Sequence, residues 1–261
     1  QELTVDATNS AYDSLISDYR YDETTLTPYA ALHYRTDRLA LVWGLRLDHT
    51  RFAADTPYVS EGAIDGMTRN RGGYDFPLPS FSAEYRLARR TVLSGSASRT
   101  IGRPTPGDVA QARSVSCGET DDGGEGCTIS QGNPDLKPRR ATNLDVTFTQ
   151  SFHGDKGLFG VSAFAKWIAD DIYDLTSYTV VDDTTYKISQ PLNASGSRIF
   201  GIEGRIENKG IKFAGQKFDL FANLTWMKGH MDVVSDSGTR SIDRMLYQPE
   251  ILANAGVTWH T

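Results

Sequence analysis

The sequence predicts an all-β protein of about nine strands in the antiparallel up-and-down arrangement of a transmembrane β-barrel. Two observations carry this. Long runs alternate apolar and polar residues with a period of two, and the connections between runs alternate short and long along the chain. Period 2 sends successive side chains to opposite faces of a strand. A soluble sandwich alternates too, since it buries one face and wets the other, so strand length and loop rhythm decide between them.

The clearest run follows residue 142. Leu144, Val146 and Phe148 take one face, against Asn143, Asp145, Thr147, Thr149 and Ser151. A short turn at 153–157 reverses the chain, and Phe159, Val161, Ala163, Ala165 and Trp167 repeat the pattern. Residues 1–23 read as a polar, tyrosine-rich loop. Strands are expected over 24–34 and 39–52, where Leu41, Trp43, Leu45 and Leu47 oppose Gly44, Arg46 and Asp48. A long loop at 53–75 follows, then strands at 76–87 and 91–101 around a tight turn. The second long loop is 102–140. Strands at 141–152 and 158–173 precede a third long loop that reaches 195. Strands at 197–207 and 217–231 flank a modest turn, a fourth long loop spans 232–248, and the last strand covers 250–259.

These strands are longer than the usual ~5–6 residues. An up-and-down barrel in a membrane explains the rhythm: short turns gather at one rim and long loops at the other. Strands of ~9–11 residues match a tilted bilayer crossing. Arg46, Asp48, Glu84, Arg86, Asp145, Glu203, Arg205 and Asp219 would line a wet interior. The apolar set would face lipid, with Trp43, Trp167, Trp226 and Trp259 in interfacial girdles.

Composition narrows the function. A net charge of -6 over 261 residues argues against a nucleic-acid partner. No apolar run of the ~18 residues a transmembrane helix needs is present, which leaves a membrane barrel open. The chain opens without a signal peptide, as a mature chain or a piece of a longer one does. Cys117 and Cys127 bracket an acidic, glycine-rich stretch and lack zinc-site spacing. A disulfide within one loop, implying an oxidising compartment, is preferred over two free thiols. Asp170 with Asp171 and Asp182 with Asp183 are adjacent carboxylates, which point to opposite faces of a strand; solvated charges fit better than an acid pair or calcium ligands. Asp121, Asp122 and Glu125 have the oxygens for calcium but also suit a solvated loop. The five histidines lack metal-binding spacing, and no nucleophile elbow or phosphate loop occurs. No catalytic, metal or cofactor site is therefore expected, and the chain does not read as an enzyme.

Several stretches resemble the TonB-dependent outer-membrane receptors. Gly132, Asn133, Pro134, Asp135, Leu136, Lys137 and Pro138, with a strand after them, are similar to that family's Asn-Pro-x-Leu-x-Pro-Glu signature, with Arg139 where the glutamate stands. The serine-rich strand that ends in Arg103 and Pro104 resembles the family's Arg-Pro strand. The run from Asn193 through Gly201 to Glu203 is similar to its Asn-x-Gly-x-Ala-x-x-x-Gly-x-Glu segment, and Gln248 and Pro249 precede a late barrel hairpin. Leu78, Pro79, Ser80 and Phe81 open a strand as in the family. The resemblance implies energised import of a siderophore, cobalamin, an oligosaccharide or another scarce nutrient across a bacterial outer membrane. It also implies contact with outer-membrane lipid and a TonB complex that acts through a plug. Residues 1–261 would be part of the barrel, with no plug domain among them, so a longer receptor is expected. Ligand contacts should lie in the long loops, where Tyr58, Tyr74, Tyr178 and Tyr186 are the candidates. The alternative is a secreted soluble β-sandwich that binds carbohydrate; it requires the apolar faces to meet inside a closed core.

Overall fold

The computed structural model describes residues 19–60, 63–119, 125–181, 184–235, 238–245 and 248–260. The barrel sheet is antiparallel throughout. β1 (Arg20–Leu26) and β2 (Tyr29–Arg35) pair with successive stretches of β3 (Leu39–Ser60) and form one broken edge strand. Proline has no N–H to give a ladder, and the break falls at Thr27 and Pro28. The Pro28 carbonyl still accepts from Leu47 N at 3.0 Å.

The sheet continues through β4 (Ala63–Ala88), β5 (Thr91–Gly102), β8 (Arg139–Phe152), β9 (Gly157–Ala169), β12 (Gly196–Phe213) and β13 (Gln216–Ser235). At the far edge β14 (Gly238–Ile242) and β15 (Ile251–His260) both pair with β13. Eleven strands thus fill nine positions across the sheet, the number of crossings expected from the sequence. Among the described residues no ladder joins the two edges.

The short turns show why these sequences reverse there. Ala214 and Gly215, between β12 and β13, both have positive φ (48° and 78°). That is the demand of a tight two-residue hairpin turn whose twist matches its strands. His153, Gly154 and Asp155 carry positive φ between β8 and β9.

The long connections are more ordered than the alternation suggests. β3 and β4 run on as a hairpin through most of 53–75, where a loop was expected. The 102–140 segment holds a short helix, α1 (Pro106–Ala110), and the hairpin β6 (Ser114–Glu119) with β7 (Glu125–Ser130). The third loop is the hairpin β10 (Ile172–Val181) with β11 (Thr184–Asn193). β11 pairs in parallel with β7, which makes a separate four-stranded sheet β10-β11-β7-β6. Cys117 and Cys127 stand opposite one another in β6 and β7, bridged by a disulfide with Cα atoms 4.0 Å apart. Asp121, Asp122, Asp182 and Asp183 lie outside the described residues, as do the side chains of Glu125 and Tyr58.

The two faces of the barrel sheet differ as the alternation requires. One unbroken hydrogen-bonded row runs Trp43, Phe81, Ala97, Leu144, Ala165, Phe200 and Lys228 across seven strands. Its neighbours on this face are Leu45, Val146, Ile202 and Leu224, which are 46%, 54%, 51% and 54% exposed. These residues do not meet in a core, as a soluble sandwich would demand. The small cores sit beyond the long-loop end instead. Tyr173, Ala194, Met231 and Val233 form one, joining the four-stranded sheet to β13; Ala54, Val109 and Ala110 form the other, joining α1 to β3.

Gly201 is held by close approach. A Cβ there would lie 2.6 Å from both the Phe164 ring and the Trp226 carbonyl oxygen, whereas one on Gly204 meets nothing within 4 Å. Gly201→Val is expected to destabilise by about 1–3 kcal/mol, the usual range for overpacking, and Gly204→Val by much less. Denaturant unfolding followed by tryptophan fluorescence checks the order of the two.

Candidate functional site at the long-loop mouth

The polar face ends at the long-loop rim in a buried charge cluster centred on Arg103. β5 delivers this residue just after Gly102, and Pro104 stops the strand. Arg103 Nη2 donates to Asp48 Oδ2 at 2.7 Å, and Nε lies 3.7 Å from Glu23 Oε1. Asp48 and Thr50 project from the same face of β3 and are 2% and 0% exposed. Thr50 donates to Asp48 Oδ1 at 2.9 Å and stands 3.2 Å from the Thr25 hydroxyl. A carboxylate this buried is tolerated only when paired and hydrogen-bonded. Both requirements are met, by residues far apart in sequence.

Two phenols complete the cluster beyond the membrane-spanning part of the strands. Tyr21 donates to Glu23 Oε2 at 2.9 Å, and burial, reinforced by that carboxylate, pushes its pKa above the ordinary phenol value. Tyr74, opposite Thr50 in the register, is also pushed up by burial, against the pull of Thr50 and Arg103. Both therefore stay neutral hydrogen-bonding groups at physiological pH.

The loop before β8 packs beside this cluster. Asn133 Oδ1 accepts from Asp135 N at 3.0 Å, an Asx-turn that fixes the loop. Its Nδ2 donates to the Pro191 carbonyl at 3.0 Å. Asn193 grips the same loop from the other side, accepting from Lys137 N at 3.0 Å and donating to the Lys137 and Asp170 carbonyls at 2.9 and 2.8 Å. Leu136 is buried. Pro134 and Pro138 stand with Tyr74 and Phe76 around a concavity of about 400 Å3.

α1 closes the other side. Thr105 accepts from Asp108 N at 3.2 Å, and Asp108 Oδ2 accepts from Thr105 N at 2.8 Å. This reciprocal cap, with Pro106 at the first helical position, was readable as Thr-x-x-Asp with a following proline. Alternation gives no sign of it, because five residues carry no period.

The adjacent aspartates are not free charges. Asp170 accepts from Arg140 at 2.6 Å. Asp171, 4% exposed, lies 3.3 Å from Arg139 Nη1 and accepts from Ser197 Oγ at 3.1 Å. Arg139, where the family signature has its glutamate, thus has a structural partner of opposite sign.

The tyrosine candidates are not brought together. Tyr74 sits at the mouth. Tyr178 and Tyr186 lie in the four-stranded sheet, opposite Lys187 and Thr179, so they project to opposite faces. Gly201 and Glu203 lie along β12, well inside the span; Glu203 accepts from Thr225 at 3.5 Å. Among the described residues no group of three or more His, Cys, Asp or Glu could hold a metal ion.

A sheet with an exposed apolar face, a charged face and elaborate loops at one rim defines a piece of a transmembrane β-barrel wall. A family model, TonB dependent receptor-like, beta-barrel, matches residues 2–261, and the chain belongs to that family. Its fold is similar to that of the copper transporter OprC, at 19% identity and a TM-score of 0.64, covering 92% of this chain and 33% of that one. It is also similar to the siderophore receptor PiuA from Acinetobacter baumannii (12% identity, TM-score 0.60, 92% of this chain and 32% of that one). The siderophore receptor PirA from Pseudomonas aeruginosa matches at 13% identity and a TM-score of 0.51, over 92% of this chain and 50% of that one. The chain therefore spans between 32% and 50% of the length of these receptors. No curated protein matches the sequence.

Arg103→Ala strands the Asp48 carboxylate and should cost about 2–3 kcal/mol, the loss expected when a buried charged group loses its partner. Asp48→Ala combined with Arg103→Ala should recover part of that loss, since paired residues couple; urea titrations of the single and double variants read it. A pH effect is expected beside β14. Ser241 donates to Asp232 at 2.6 Å, and this bond and His230 hold the Asp232 carboxyl below the usual carboxylate range. A depressed folded-state pKa contributes stability above the unfolded value of about 3.9, lost as pH falls through the lower folded value. Hydrogen exchange of the β13–β14 ladder should accelerate in that acidic window, and Ser241→Ala should weaken the effect.

Proposed function

We propose that this chain forms part of the barrel wall of an outer-membrane active transporter that imports a siderophore, an oligosaccharide or a similar scarce nutrient. The work is transport rather than covalent chemistry. Force would come from a TonB complex acting through a plug carried outside these residues, and ligand would be met by the long-loop mouth. Family membership supports this reading, and one observation carries it: the nine-position sheet exposes leucines, valines and tryptophans on one face and charges on the other. The likeness to the siderophore receptors PirA and PiuA favours siderophores as the first ligands to test.

Within the mouth, the concavity beside Tyr74, Phe76 and the Pro134–Pro138 loop offers aromatic surface with polar groups at hand, the combination that suits a chelate or a sugar. Tyr58, Tyr178 and Tyr186 remain candidates for outer contacts on the same loops. The soluble-sandwich reading is disfavoured because it has no core in which to place the apolar face.

Val146→Arg puts a charge on the apolar face near mid-span and should cost about 2–4 kcal/mol in a bilayer, while Thr147→Arg on the wet face should cost far less. Equal effects, measured by unfolding from lipid vesicles, would contradict the assignment of the two faces. For the ligand, Tyr74→Ala in the whole receptor should weaken binding roughly five- to tenfold, the worth of about 1 kcal/mol of aromatic contact. Unchanged affinity for every siderophore and oligosaccharide bound by the wild type would remove Tyr74 from the site. Uptake that persists after collapse of the inner-membrane proton gradient would refute energised import.

A further inference from the structure

Methionine is scarce in this chain and unevenly spread. Of four methionines, Met67 lies 57% exposed in β4, while Met227, Met231 and Met245 gather at the mouth end of β13. Trp226 belongs to the apolar face of β13, so Met227, Gly229 and Met231 project from the wet one. Elsewhere that face carries polar groups. Ser96 and Asp145 share a cross-strand row with Met227, and Ser98, Asn143 and Lys166 share one with Gly229. Thioethers in such a lining need a reason.

The segment between β14 and β15 brings in the third thioether. Met245 folds over Gly229, where a Cβ would lie 2.4 Å from Met245 Cγ and 2.9 Å from its backbone nitrogen. The glycine thus makes a seat for Met245 midway between Met227 and Met231. Met245 also packs against the cluster that holds Met231. Met227 and Met231 are buried. The Met227 sulfur is more than apolar filling, because the Gln248 amide donates to it. A rise of ~3.3 Å per residue puts the Met227 and Met231 backbones about 13 Å apart, a gap that two inward-leaning thioether arms can close on one ion beneath Met245. His230 and Asp232 alternate to the other face of β13, where they bind each other and His230 also meets Asp243.

We infer that Met227, Met231 and Met245 form a thioether site for a soft monovalent cation, copper(I) or silver(I). Thioether sulfur is an uncharged soft ligand that selects copper(I), whereas calcium and magnesium take oxygen and zinc takes thiolate, imidazole or carboxylate. Binding exchanges the Gln248 hydrogen bond for a metal–sulfur bond, with no proton released and no change of oxidation state. The site takes a bare ion, so it stands apart from the chelate or sugar proposed for the mouth. Silver(I), which shares the ligand preference of copper(I) and is stable in air, is the probe. The whole receptor in detergent is dialysed to equilibrium against silver nitrate in chloride-free buffer, and bound metal is counted by mass spectrometry. Wild type should hold one silver ion more than the variant carrying Met227→Leu, Met231→Leu and Met245→Leu, whose leucines conserve side-chain volume. Met231→Leu alone should weaken that ion's binding roughly tenfold or more, and Met67→Leu should leave it unchanged. Gly229→Ala keeps every sulfur but unseats Met245, and should weaken binding as well. X-ray absorption at the copper edge of wild type loaded with one copper(I) needs no variant and should show a first shell of sulfur alone. Equal silver content in wild type and the triple variant overturns the site. So does a first shell of nitrogen or oxygen, or displacement of the silver by equimolar zinc(II).

Discussion

In hydrocarbon a backbone N–H or C=O has no water to turn to, so every one must be paired within the protein. That constraint organises this chain more than any side-chain contact. It dictates long antiparallel strands joined by tight turns at one rim. Once the ladder is fixed, period 2 leaves the sequence only the choice of which face is apolar. Hydrophobic packing, which holds most domains together, gathers among the described residues in two small clusters above the span, around Met231 and around Ala54.

Nearness to this constraint sets how much of the fold is legible. Where strands cross the apolar band, alternation is strict and each of the nine positions is visible in the sequence. Beyond it, water satisfies the backbone and the selection for alternation relaxes. Residues 53–75 contain four glycines, two of them adjacent, and several charges. They read as loop, yet most of them extend the β3–β4 hairpin. The parallel pairing of β11 with β7 brings together segments about sixty residues apart. No local pattern signals such a pairing, because its stabilisation comes from tertiary contact rather than from propensity.

The mouth follows the same division. The motif residues Asn133, Pro134, Leu136 and Pro138 were visible because they fix a turn locally, through the Asx-turn at Asn133 and the fixed φ of the prolines. Their partners Asn193 and Pro191 lie nearly sixty residues on and carry no such mark. Arg103 was legible as a family residue but not as the counter-charge of Asp48. Arg139 looked like a departure from the signature. With Asp171 buried beside it, the arginine answers a local electrostatic demand that a glutamate would aggravate.

The seam between β4 and β5 shows how side chains mark the boundary where the backbone rule relaxes. Their ladder stops at Ser80 opposite Ser98, although β4 continues with β3 for many residues more. Leu47 N points away from β4, to the Pro28 carbonyl at 3.0 Å. The facing pair Leu47 and Pro77 is therefore not hydrogen-bonded, and Pro77 directs its ring nitrogen away from β3, toward β5. Pro79, two residues on, points the same way. Two successive donors are thus missing on the β5 side, and the ladder cannot continue past Ser80. An open edge of that kind is forbidden within hydrocarbon. Ser80 stands eight residues from the end of β4 at Ala88, so the seam opens close to where a tilted crossing runs out. The opening lets Arg140 reach Phe76 and lets the loop before β8 settle against β4. A pair of prolines in a strand thereby turns the end of the membrane-spanning wall into the beginning of the mouth.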